Sequence, residues 1–503
     1  MLTRNQLQTI YDEGPDAVFD LIQKLWATIV AQQEQIDALK QQNALLMEHN
    51  VLLHERIHEL ETRLNQNSNN SSKPPSTDGF KKKSPNPANL RQKTGKPSGG
   101  QLGHPGHNLK FVDQPDHTIA HKPEACASCG GSLQEAAIVT IDKRQVFDLP
   151  PIKLEVTEHQ ALSCVCPHCK TLNVGEFPPE VIQPTQYGPE ILALCVYLNQ
   201  YQLIPLARTE EMLTDLLGQS PTQGTLVTAI LEAHKALEPV EAAIKTAITE
   251  AAVVDFDETG IRVAKHLHWI HVACTPKLTF YAHHPNRGRK AFADIGILPH
   301  FGGISVHDGY PAYFDPSYPG KQALCNAHHL RELLGLYQSL HQTWTQRMSA
   351  LMRSLQRLKE AALVRGEQAL SFEQLDHYRT VYREIVQRGL HQNPLPEPTG
   401  KRGRPAHGPA RSLLLRLQRE EDAVLRFATD FAVPFDNNQA ERDLRMIKVQ
   451  QKVSGCFRTP EGAAHFCRIR GYISTMRKQG MHILTAIRSV FTGELIRPCL
   501  DPV

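Results

Sequence analysis

The sequence predicts a multidomain α+β protein, and three observations carry that reading. An apolar heptad runs through the first seventy residues, two Cys-x-x-Cys pairs follow a basic stretch, and a strand-rich segment precedes a long helical region. At 503 residues the chain is too long for a single core, and chains of this size usually divide into about three domains.

The heptad begins at Ile22. Its a positions are Ile22, Ile29, Ile36, Asn43, Asn50, Ile57 and Leu64, and its d positions Leu25, Gln32, Leu39, Leu46, Leu53 and Leu60. β-Branched residues at a with Leu at d favour a parallel two-stranded coil, and Asn at a fixes register at some cost in stability. Residues 1–67 are therefore expected to be a helical coiled-coil segment that joins two subunits. A helix folded back on its own chain is the alternative. Residues 68–112 follow as a flexible basic linker: seven Lys or Arg and one acid, Asp78, lie between Lys73 and Lys96 among Pro, Gly, Ser and Asn. Such a tether suits a phosphate backbone or is simply solvated. The net charge of +3 alone points to no nucleic acid.

Cys126-x-x-Cys129 and Cys166-x-x-Cys169 lie within residues 113–184. Each pair can set two thiolates on one turn, and four thiolates suit the closed tetrahedral site of a structural zinc. Alternating runs at 139–142 and 153–159, around Pro150-Pro151, read as strands of a zinc-ribbon-like hairpin. Cys164 and His168 are competing ligands, and unligated reduced cysteines the alternative. Eleven cysteines without an apolar leader fit a reducing compartment. No apolar run is long enough to span a membrane. The expected location is cytoplasmic.

Residues 185–250 read as a helical connector, with a break at Leu216-Leu217-Gly218 and a start signal at Ser220-Pro221. Here a helix-turn-helix and a plain packed connector both remain open. The first part of an α/β core, 251–328, follows. Its predicted strands are 251–256, 267–274, 278–283 and 303–307, with a helix near 289–298. Residues 329–430 read as a helical insertion of long amphipathic helices, and 431–503 as a helix with a basic C-terminal segment.

Three acidic islands punctuate this region: Asp255-Phe-Asp257-Glu258-Thr-Gly, His307-Asp308-Gly-Tyr and Asp436-Asn-Asn-Gln-Ala-Glu441-Arg442. Two aspartates and a glutamate gathered by a fold make a magnesium site able to activate an attacking oxygen and stabilise a leaving one at phosphorus. Asp255 and Asp257 are two apart on a strand and face the same side, so spacing does not separate them. Asn438-x-x-Glu441 also reads as a capping box, and Glu441 with Arg445 as an i,i+4 ion pair. Cys325-Asn-Ala-His328 offers half a metal site or a buried cysteine beside a bonded histidine. The break Thr399-Gly-Lys-Arg-Gly-Arg-Pro reads as a charged interhelical loop or a minor-groove contact.

In this order the motifs resemble the DDE-class transposases of bacterial insertion sequences, in particular insertion-sequence family sixty-six. The resemblance also takes in Asn-Ser-Ser-Lys-Pro-Pro-Ser at 70–76 and Gly-Gly-Gln-Leu-Gly-His-Pro-Gly at 99–106. It implies a ribonuclease-H-like core in which the first and fourth strands are neighbours. It assigns catalysis and Mg²⁺ (or Mn²⁺) to Asp257, Asp308 and Glu441, with Asp255, Cys325 and His328 in support; Arg442 and Arg445, on neighbouring helix faces, read equally as DNA-phosphate contacts and as surface salt-bridge partners. The implied function is cleavage of element ends and strand transfer, with double-stranded DNA and small accessory proteins as partners and a nucleoid-associated location. A nuclease of the same fold and a catalytically defective DNA-binding element protein are the alternatives.

Overall fold

The computed structural model describes residues 3–65, 109–150, 152–395 and 407–501. The motifs at 70–76 and 99–106, most of the basic linker and the 399–405 break lie outside the described residues. Two units form: residues 3–65 with 326–421, and residues 109–325 with 422–501, counting described residues.

In the first unit, helix α1 (Arg4–Asp12) opens on a capping box: Thr3 Oγ1 accepts from Gln6 N, and Thr3 N donates to Gln6 Oε1 at 2.9 Å. The chain turns at Gly14, whose φ of +108° excludes most side chains. It continues as α2 (Pro15–Asn65), 51 residues long. The heptad's apolar positions stand exposed along α2, from Ile22 and Leu25 through Ile36 and Leu39 to Ile57 and Leu60.

The rest of this unit is helical, as the amphipathic pattern predicts. Helices α8 (Asn326–Leu340), α9 (Thr343–Val364), α10 (Phe372–Gln392) and α11 (Pro409–Arg419) bury residues at helical spacing. Leu333, Trp344, Met348, Met352, Tyr382, Val386, Leu413 and Leu417 are among them. Tyr382 Oη donates to Leu417 O at 2.8 Å, so its one polar atom is satisfied inside an apolar layer.

In the second unit, strands β1 (Ser163–Val165) and β2 (Leu172–Val174) pair antiparallel around the second cysteine pair. The strands predicted at 139–142 and 153–159 do not form. Val139, Ile141 and Val156 are 91%, 71% and 85% exposed, so the alternation there has no apolar layer to bury against.

Helices α3 (Pro189–Val196), α4 (Leu206–Leu217), α5 (Gln223–Ala236) and α6 (Glu238–Thr249) follow. Gly218 ends α4 at a φ of +75°, and Thr222 caps α5 by accepting from Thr225 N. Ala229, Ala233, Val240, Ile244 and Ile248 then join the core beneath the sheet. These two helices are packed elements of the core.

The sheet has five strands: β3 (Val253–Val263), β4 (His266–Cys274), β5 (Thr279–His284), β6 (Ile304–His307) and β7 (Lys321–Leu324). Their spatial order is β5-β4-β3-β6-β7. The first three form an antiparallel meander, and β6 and β7 run parallel to β3. Strand β3 adjoins β6, the neighbourhood the resemblance implies. It is longer than the sequence suggests and continues to Val263, paired with β4 from Asp255 onward. Ala264 and Lys265, both at positive φ, make the tight turn between them. Asp257 is thus mid-strand, not at a strand end. Strand β7 is unanticipated.

Helix α7 (Arg289–Ile295) bridges β5 to β6, and α12 (Glu421–Thr429), α13 (Asn438–Val453), α14 (Pro460–Lys478) and α15 (Ile483–Ser489) complete the unit. Alternation along β3 and β4 divides the core. Val254, Phe256 and Ala273 join one cluster with α5, α6, α14 and α15; Ile261, Val263, Ile270 and Val272 join a second with α13 and the start of α14.

Candidate active site

The last register pair of β3 and β6 is Asp255 opposite Val306. Asp257 and Asp308 each lie two residues farther on, which brings both to one end of the parallel pair. Asp257 is half-buried, and its Oδ1 accepts from Glu258 N at 2.8 Å. Asp308 follows β6 in a tight loop, where its Oδ1 accepts from Tyr310 N at 2.8 Å and Gly309 adopts a φ of +90°. His307, fully buried, braces this loop. Its Nδ1 accepts from Gly309 N at 3.0 Å, and Nε2 lies 2.8 Å from Gln322 Oε1. Burial pushes the imidazole down to about 4, so it is neutral and Nε2 carries the donated proton.

Glu441 is on the first turn of α13. The residue before that helix, Asn437, is buried and ties β3 to the residue after β7: Nδ2 donates to Phe256 O at 2.8 Å, and its backbone N donates to Cys325 Sγ at 3.1 Å. The start of α13 is therefore fastened beside Asp257. Asn437, not Asn438, is the N-cap, and it makes no side-chain cap bond. The capping-box register is displaced by one residue, and Glu441 falls beyond the position that reaches back to the cap.

Burial, then the charges of Glu258, Asp308 and Glu441, hold the Asp257 carboxyl well above the ordinary carboxylate range. The charges of Asp308, from the β6 loop, and of Glu441, from α13, thus both bear on Asp257 of β3. A hard divalent cation relieves that repulsion, and an all-oxygen donor set suits magnesium.

The neighbours divide by face. Asp255 shares the Asp257 side; it is buried, with Oδ1 lacking a hydrogen-bond partner, and burial pushes its carboxyl up to about 7. Glu258 points to the opposite face. Its two oxygens accept from Arg287 Nε at 2.7 Å and Tyr313 Oη at 2.5 Å. Burial, and next the Asp308 charge, raise its pKa. Neither Arg287 nor Tyr313 stands out in the sequence; the buried Glu258 is the one signal, since a charge inside needs a partner.

Cys325 follows β7 as a buried thiol, and His328 is half-buried on the first turn of α8, in the other unit. Arg442 and Arg445 are exposed on α13, and Arg442 Nε donates to Asn438 O at 3.2 Å.

The cysteine pairs form two turns of one design. Cys126 N donates to Gly131 O at 2.8 Å and Gly130 N to Cys126 O at 2.9 Å; Cys166 N donates to Thr171 O at 2.9 Å and Lys170 N to Cys166 O at 3.0 Å. Gly130 and Lys170 both take positive φ. The Cys129 backbone amide lowers the Cys126 pKa, and the Thr171 hydroxyl, 3.2 Å from Cys169 Sγ, lowers the Cys169 thiol to about 7. Such thiolate-favouring turns fit zinc. Cys164 and His168 are exposed beside the second turn.

No helix among the described residues is long and apolar enough to cross a membrane. No curated protein matches the chain. Residues 16–110 match a family of unknown function (DUF6444), and residues 123–170, which enclose both cysteine pairs, match the zinc-finger binding domain of transposase IS66. That match supports a structural zinc. Residues 184–465, from the connector helices through all three acidic islands to the start of α14, match the Transposase IS66 family model. Covering more than half of the 503 residues, this match places the chain in the transposase IS66 family.

Proposed function

We propose that this transposase cuts and joins DNA at the carboxylates Asp257, Asp308 and Glu441, in a ribonuclease-H-like core. The observation that supports the reading is that the charges of Asp308 and Glu441, on separate elements, both bear on the half-buried Asp257. Magnesium held there supplies an activated oxygen nucleophile and charge stabilisation for the leaving oxygen. The protein's own part is to keep three like charges in place. Asn437 fastens the glutamate's helix to β3, and His307 holds the Asp308 loop. Water and a freed 3′-hydroxyl attack phosphorus by the same in-line geometry, so one site serves hydrolysis and then joining.

Cys126, Cys129, Cys166 and Cys169 hold the zinc, and their module with the basic linker grips the element ends. The exposed heptad of α2 pairs two copies so that two ends are processed together. Small accessory proteins of the same element complete the assembly.

The test is strand transfer with labelled element-end DNA, a supercoiled target and Mg²⁺. Asp257→Asn, Asp308→Asn and Glu441→Gln should each keep fold and end binding yet lose cleavage and joining by at least about a hundredfold. Cleavage without joining would identify a nuclease. Full activity in any one variant would remove that residue from the site.

A further inference from the structure

Arg287 lies outside every sequence motif, yet the fold builds a seat for it. Its Nε donates to Glu258, the residue after Asp257, at 2.7 Å. Its guanidinium carbon lies 4.0 Å from the Tyr310 ring centroid and 4.9 Å from that of Trp269. Tyr310 is two residues beyond Asp308, whose charge acts on the guanidinium. The loop that carries Arg287 is held as well. His271 Nε2 and His284 Nδ1 lie 3.3 and 3.2 Å from Asn286 O, and Gly288, at a φ of +98°, leaves room where a Cβ would meet Tyr310 Oη at 3.1 Å.

A guanidinium kept only to neutralise Glu258 would turn its two-pronged edge to the carboxylate. Here one Glu258 oxygen takes Nε and the other takes Tyr313. The terminal nitrogens of Arg287 make no hydrogen bond among the described residues, and the side chain is 36% exposed. A planar fork, oriented and partly desolvated, matches the oxygens of a phosphodiester.

We infer that Arg287 is a phosphate-binding residue, taking the DNA phosphate that neighbours the scissile one on the face of β3 opposite Glu441. The inference rests on the proposed carboxylate site. DNA crossing the end of the paired stretch of β3 and β6 then meets the carboxylates on one side and the guanidinium on the other. Glu258, Trp269 and Tyr310 act on the substrate only through Arg287.

The experiment uses the full chain and a duplex of the element's own terminal sequence. Each phosphate around the cleavage point is replaced in turn by a neutral methylphosphonate. Binding is measured in Ca²⁺ and cleavage in Mg²⁺ for wild type, Arg287→Lys and the double variant Glu258→Gln with Arg287→Met, which leaves no buried charge unpaired. In wild type, one methylphosphonate beside the scissile position should weaken binding about tenfold, the loss of a charge-assisted contact. The double variant should bind native DNA with that same loss and be indifferent to that substitution, with an unchanged thermal unfolding profile. Arg287→Lys, keeping charge without the fork, should fall between. Superimposable scans for wild type and both variants, or a dependence at a phosphate remote from the cleavage point, would overturn the inference. Cleavage that persists in Asp257→Asn removes the carboxylate reading instead, and the binding scan shows the two failures apart.

Discussion

Asp255 is the residue whose environment has the plainest thermodynamic consequence. Burial pushes its carboxyl up to about 7, with Lys478 opposing and Asp436 and Asp443 adding to the rise. The folded value lies above the unfolded one near 3.9, so the folded chain holds this proton more tightly. The stabilisation is complete below the unfolded pKa and is lost as pH rises through about 7. Without added divalent cation, thermal unfolding midpoints should therefore decline between about pH 4 and 7. Asp255→Asn should remove this component and raise stability at pH 8 by up to roughly 4 kcal/mol; an unaltered profile would show the carboxyl is ionised without penalty. The sequence located Asp255 and Asp257 on one strand face and could not rank them; the ranking needs Asp308 and Glu441, which are distant in sequence. It offered the wrong cap for α13 by a single residue. Arg287 was illegible, because an Arg in a His-Pro-Asn-Arg-Gly-Arg-Lys stretch has no periodicity to set it apart from its basic neighbours.

Among elements, those with strong apolar runs were legible and those defined by pairing were not. Strands β4, β5 and β6 lie within a residue or so of the apolar segments that announce them. The far half of β3 reads as a polar loop, Glu258-Thr-Gly, and its turn uses Ala264-Lys265 without the Asn-Gly signature. Strand β7 has four residues and exists through its parallel partner β6. Its junction imposes a tight fit. A Cβ on Gly303 would meet Ala251 O at 2.5 Å and Ala252 O at 2.6 Å, both backbone atoms. Gly303→Ala should therefore part β3 from β6 and cost at least about 2 kcal/mol, measured by denaturant unfolding, with Gly302→Ala as a tolerated control. Equal stability of the two variants would mean that the junction relaxes. The half-buried ion pair of Lys478 with Asp443, 2.8 Å, also joins elements: Lys478 Nζ donates to Thr275 O and Leu278 O, tying α13 and α14 to the β4–β5 turn.

For the whole molecule, composition and spacing misplace the zinc module's internal strands. Exposed alternation at 139–142 and 153–159 imitates a sheet that has nothing to cover. The proposed pairing of two copies predicts that Ile29→Asn with Ile36→Asn lowers the mass in sedimentation equilibrium from dimer to monomer and leaves thermal unfolding of the sheet-bearing unit unchanged. An unchanged mass would place the subunit contact elsewhere. The sheet's dependence on its last helices has a consequence in time. Ala440, Leu444, Phe466, Ile469 and Met476 cover strands whose own residues end at Leu324. During synthesis the two aspartates leave the ribosome long before Glu441, and the sheet, with α5 and α6 already made, waits for α13 and α14 to complete its cover. On the proposed carboxylate site, a chain released early would carry both aspartates without the third carboxylate or the cover of α13 and α14, and would leave the DNA around it uncut.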